Sequence, residues 1–121
     1  MPPRRRVDVA AGEEALGAWL AGPPEELPRQ VLATAVRYTA EELAARAPGR
    51  SVEVRVPPFV AVQCIEGPRH TRGTPTNVVE TDPQTWLELA TGRLGWVDGV
   101  SSGRVRASGQ RADLATYLPM R

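Results

Sequence analysis

Apolar positions along this chain fall into two rhythms, one helical and one alternating. Leu16, Trp19 and Leu20 recur at i, i+3 and i+4, which predicts a short helix over residues 13–21. Glu13 and Glu14 suit its positive end, and Gly22-Pro23-Pro24 stops it. A longer stripe of Val31, Leu32, Ala35, Val36, Thr39 and Leu43 predicts a second helix from about residue 28 to about residue 46. Pro28 fits its first position, and Pro48-Gly49 ends it. Arg37, Glu41, Glu42 and Arg46 fall mostly off the stripe and read as a solvated face.

The rhythm then changes. Ser51-Val52-Glu53-Val54-Arg55-Val56 alternates, the pattern of a half-buried strand, and Pro57-Pro58 breaks it. Phe59 to Ile65 is nearly continuous in apolar residues and predicts a strand covered on both faces. After the turn Glu66-Gly67-Pro68, Arg69-His70-Thr71-Arg72 reads as a polar edge strand, and Thr76 to Thr81 as another strand. Asp82-Pro83 is a helix start, with Asp as the cap and Pro at the first position, and Gly92 is the stop. Trp96 and Val100 predict a short helix, Arg104 to Ala107 a strand, and Leu114, Tyr117 and Leu118 a closing helix ended by Pro119. Strands in sequence followed by a helical crossover predict an α+β domain, with helices mainly on one side of a mixed sheet.

Residues 1–12 read as a flexible basic arm and residues 13–121 as a single domain, a division that a length of 121 residues accommodates. A net charge of +1 gives no reason to expect a nucleic-acid partner. All fifteen Lys and Arg positions are Arg. No apolar run approaches the ~18 residues of a membrane span, so stable membrane insertion is not expected. Arg4-Arg5-Arg6 is not followed by the apolar core of a secretory signal, and Cys64 stands alone, which makes the cytoplasm the expected compartment.

Candidate chemistry is sparse. One His and one Cys cannot build a zinc cluster, so no metal is expected. Cys64 and His70 form the one nucleophile–base pairing available, and they share a face only if the loop between their strands has three residues rather than two. Cys64 also lies in an apolar run, where thiols are usually inert packing. Arg69, His70 and Arg72 beside Gly67 and Gly73 offer a cradle for an anion, or a charged edge that blocks aggregation. The pairs Glu13/Glu14, Glu25/Glu26 and Glu41/Glu42 read as solvated helix surface. Trp19, Trp86 and Trp96 suit a core or a cavity wall, which share one pattern.

The stretch Thr74 to Pro119 resembles the sterol carrier protein type-2 family. That family runs through a strand, an acidic helix start, a helix of the form fLxLxxG, a short helix ending in Gly, a strand of the form rvxxxG, and a closing helix xxLxxxL. Here these correspond to Val78-Val79-Glu80-Thr81-Asp82, Trp86-Leu87-Glu88-Leu89-Ala90-Thr91-Gly92, Val100-Ser101-Ser102-Gly103, Arg104-Val105-Arg106-Ala107-Ser108-Gly109, and Leu114 with Leu118. The runs Ala35 to Thr39, Val62 to Pro68 and Asn77 to Pro83 look like those of the short bacterial orthologues.

The resemblance implies a mostly antiparallel five-stranded sheet covered by helices, with an apolar tunnel between them. It implies non-catalytic binding or transfer of a lipid, fatty acyl chain or sterol-like molecule, with no cofactor. Projected on that layout, the wall comprises Leu32, Val36, Trp86, Leu87, Leu89, Trp96, Val100, Leu114 and Leu118, each equally compatible with a filled core. Arg69 and Arg72 are placed to neutralise a head group. Two alternatives stay open: a domain of the same shape that docks on a protein partner or dimerises without a lipid, and a small enzyme using Cys64 and His70.

Overall fold

Asp8 starts the first helix, because its carboxylate accepts the Ala11 N–H at 3.1 Å. Helix α1 therefore runs Val9–Ala21, beginning four residues before the predicted start and taking in part of the expected arm. Its first turn is Val-Ala-Ala-Gly, which carries no stripe for periodicity to find. The structure, a computed structural model, describes residues 5–67 and 77–121. Helix α2 follows at Arg29–Arg46, with Pro28 as its cap, close to the predicted bounds. Strands β1 (Val52–Val56) and β2 (Val60–Cys64) form a hairpin across Pro57-Pro58-Phe59. Then come β3 (Val78–Thr81), α3 (Pro83–Thr91), α4 (Trp96–Ser101) and β4 (Val105–Ser108). The α3 signals work as expected. The Asp82 side chain accepts the Thr85 N–H, Pro83 opens the helix, and Gly92 closes it at φ 81°, a left-handed angle that suits glycine.

The strands stand in the order β2-β1-β3-β4, with β1 antiparallel to β2, β1 parallel to β3, and β3 antiparallel to β4. The α+β class holds. The expected five-stranded, mostly antiparallel sheet becomes, among the described residues, an open mixed sheet of four. Alternation reveals a strand but not its neighbour, and so cannot foresee the parallel pairing of β1 with β3. The edge strand expected over residues 69–72 lies outside the described residues. Strand β2 is covered on one face only, since Ala61 and Gln63 are exposed. They sit at alternate positions, and the apolar run concealed a two-residue period.

The closing helix is also corrected. Residues 109–121 form turns, in which Leu114 C=O accepts both the Tyr117 and Leu118 N–H groups. One such turn puts Leu114 and Leu118 inward just as a helix would, so the spacing alone does not distinguish the two. The tail is then pinned on α3, where Ala90 C=O accepts the N–H groups of Met120 and Arg121.

The registers place Val52, Val54, Val56, Cys64 and Val79 on one sheet face, where they join the core with α1, α2 and α3. The other face carries ion pairs, Arg55 with Glu53 and Arg106 with Glu80. Helices α1 and α2 meet closely at Gly12. A Cβ there would lie 2.2 Å from Cγ of the Tyr38 ring. Beside them Glu13 accepts the Tyr38 hydroxyl and two Arg121 N–H groups, which ties α1, α2 and the tail together.

Candidate functional site

Eight of the nine predicted wall residues do come together, and they do so as core. Val36, Trp86, Leu87, Leu89, Leu114 and Leu118 belong to one buried cluster, with Leu32 and Trp96 packed against it. Trp86 has no exposed surface, and its indole N–H donates to Thr39 Oγ1 at 2.8 Å. Thr39 in turn donates to Ala35 C=O at 2.8 Å. Among the described residues no buried side-chain polar atom lacks a partner. Val100 stands apart at 40% exposed, beside β4. Arg69, Arg72 and His70 lie outside the described residues.

Cys64 is fully buried at the end of β2, and burial pushes its thiol up to about 12. At neutral pH it is a protonated packing group rather than a thiolate nucleophile. Among the described residues no cluster of three or more His, Cys, Asp or Glu side chains is placed to hold a metal ion.

Open space lies beside the core, between α2 and β2. Helix α2 carries Arg37, Glu41 and Ala44 on one face, at the spacing of successive turns, and Pro48 follows in the turn after the helix. Together with β2 this face encloses a groove of about 630 Å³, within the ~300–1,000 Å³ typical of small-molecule sites. Phe59, Val60 and Val62, each partly buried, give it apolar surface. Its charges come from Arg6, Arg37 and Arg50 against the single carboxylate of Glu41.

Two of those arginines tie the helix side to the strand. Arg37 Nε donates to Phe59 C=O at 3.1 Å near one end, and Arg50 Nε donates to Gln63 Oε1 at 2.9 Å near the other. The guanidinium groups of Arg29 and Arg37 lie 5.0 and 5.9 Å from the Phe59 ring centre, within cation–π range. The turn after α2 is set by Gly49, whose φ is 153°. A Cβ there would lie 2.2 Å from the Ile65 backbone. The result is a partly open site whose lining combines apolar side chains with three arginines.

Residues 28–120 match the model of a family described as bacterial SCP orthologs. The chain is a sterol carrier protein family member. The matched region spans α2, the sheet, α3, α4 and the tail, while α1 and the residues before it lie outside. None of the curated proteins matches the chain. In this sterol carrier protein domain the sequence pattern does not mark the groove residues as a site. Arg37 and Glu41 have the pattern of a solvated helix surface, and Val60 and Val62 that of a covered strand. The sign that was present is the meeting of the two patterns: small and charged residues at helical spacing on α2, facing an edge strand with valines at period two.

Proposed function

We propose that this domain is a non-catalytic binding and transfer module for an apolar ligand with an anionic end, its tail laid along the groove between α2 and β2. The observation that carries this reading is the amphipathic lining: Phe59, Val60 and Val62 for a chain, and Arg6, Arg37 and Arg50 for a negative charge. Family membership supports lipid binding as the class of activity. Each methylene removed from water contributes about 0.8 kcal/mol, so six give roughly 5 kcal/mol before association costs. An ionic anchor is therefore needed for useful affinity, and arginine supplies it in forked, permanently charged form. Neither the protonated Cys64 nor an assembled acid–base pair enters the reading.

The test is photo-labelling with a diazirine-bearing fatty acid, followed by peptide mapping. Saturable labelling of residues 59–63 and of α2 around Arg37 to Ala44 is the expected result. Labelling confined to Trp86, Leu87 and Leu89 would put the ligand between sheet and helices instead. No saturable labelling at all would favour a domain that docks on a protein.

A further inference from the structure

The chain before Pro28 lies outside the matched family region, yet it supplies part of the groove. Asp8 caps α1 and so fixes where the preceding residues leave that helix. From there Arg6 and Val7 cross α2. Glu41 Oε1 accepts both of their backbone N–H groups, at 3.0 and 3.1 Å. Arg5 Nη2 donates to Glu42 Oε1 at 2.8 Å, and the other oxygen of Glu42 takes Arg46 Nε at 3.0 Å. The Arg6 side chain lines the groove, and Val7 is half-buried. Two successive peptide N–H groups on one carboxylate oxygen hold the backbone, not merely a side chain, to the groove wall.

We propose that Arg5 to Val7 is a strap that gates the groove, latched on α2 by Glu41 and Glu42. The inference rests on the groove being the ligand site. The latch is made of charge-assisted hydrogen bonds at a largely exposed surface, where water and salt compete for every partner. Contacts of that strength leave an open state at the ~0.1–10% level, which is the range a gate requires. Opening removes Arg6 from the wall and widens access along α2. Closing returns it beside the bound anionic end. The strap therefore changes how fast a ligand enters and leaves more than how tightly it is held.

The test compares the full-length wild type with Glu41→Ala and Glu41→Gln. Both variants remove the carboxylate charge from the groove, but only alanine removes the acceptor for the two N–H groups. Alanine also suits a helix. Two readouts are needed. Limited trypsin digestion, followed by mass spectrometry, reports exposure of the Arg5–Arg6 and Arg6–Val7 bonds. Stopped-flow fluorescence with 11-(dansylamino)undecanoic acid reports entry and release. Glu41→Ala is expected to be cleaved about tenfold faster than Glu41→Gln, the effect of losing roughly 1.4 kcal/mol of hydrogen bonding. Its association and dissociation rate constants rise by similar factors, leaving Kd within about twofold of Glu41→Gln. Glu42→Ala, which frees Arg5, shifts both readouts the same way by less. Equal cleavage in all variants overturns the strap. Faster cleavage with unchanged probe kinetics overturns its role as a gate. A probe that binds none of the proteins overturns the groove reading and the gate with it, while the cleavage pattern still reports separately whether the latch exists.

Discussion

Helix α2 faces two environments that differ in almost every physical respect. On one side Val36, Thr39 and Leu43 are at most 1% exposed and press on Trp86 and its neighbours, with each polar atom bonded. On the adjoining side Arg37 and Glu41 border a groove of about 630 Å³. One helix with a 3.6-residue period serves both, because a step of one residue turns the face by about 100°. Buried apolar residues and groove-lining ones need not coincide. The larger side chains make the fold, and smaller ones bordered by charge leave room beside it.

The sharpest way to break that contrast is to remove Trp86. If it is packed core, Trp86→Ala should cost about 3–5 kcal/mol in urea unfolding, since no neighbour can collapse into so large a space. A loss below about 1 kcal/mol would mean that Trp86 borders a hollow, and the two sides of α2 would then be alike. Next in size is Gly12→Ala, on the helix that the family region does not include. The added methyl meets the Tyr38 ring at 2.2 Å, so α1 must shift from α2. Overpacking of this kind costs about 1–3 kcal/mol, read as a lower Tm. An unchanged Tm would show that α1 is only loosely seated.

On the groove side the expected balance reverses. Arg50 is exposed and holds Gln63 across one end of the groove. Arg50→Glu should alter stability by no more than about 0.5 kcal/mol. It should weaken binding of an anionic amphiphile about tenfold at low salt and less at high salt, where charge is screened. The methyl ester of the same amphiphile should bind the variant and the wild type alike. Equal losses for acid and ester would remove the charge argument and leave only shape.

Much of the fold could be read from the pattern, because burial imposes it directly. The α2 stripe, the β1 alternation, and the Asp82, Pro83 and Gly92 signals each reflect a local physical demand. What the pattern missed was set by contacts distant in sequence. The parallel pairing of β1 with β3 depends on chain path, and the turn at Leu114–Leu118 is settled by the tail bonding to Ala90. The groove was harder still. Arg37 and Glu41 look like any solvated helix face until Phe59 to Gln63 are brought opposite them. Val36 and Trp86 share one buried cluster, and the sequence cannot tell the residues of a wall from those of a core because they are the same kinds.

The smallest effect concerns the polar fastening at the rim of the packed side. The Tyr38 hydroxyl, and then the Arg121 guanidinium, hold the Glu13 carboxyl below its ordinary value. A carboxylate depressed in the folded state adds stability that is present above its unfolded value and is lost as pH falls through the folded one. Glu13→Gln should therefore flatten the acid limb of a stability–pH curve below about pH 4.3. Tyr38 titrates in the opposite sense. Burial first, and its bond to Glu13 second, push it up, so its contribution is present below its unfolded value and is lost as pH rises beyond. Because burial leads, Glu13→Gln should leave most of the alkaline limb in place. Loss of both limbs together would mean that Glu13, rather than the packing of α1 on α2, keeps Tyr38 out of water. The close approach at Gly12 would then be a consequence of the ionic fastening and not its support.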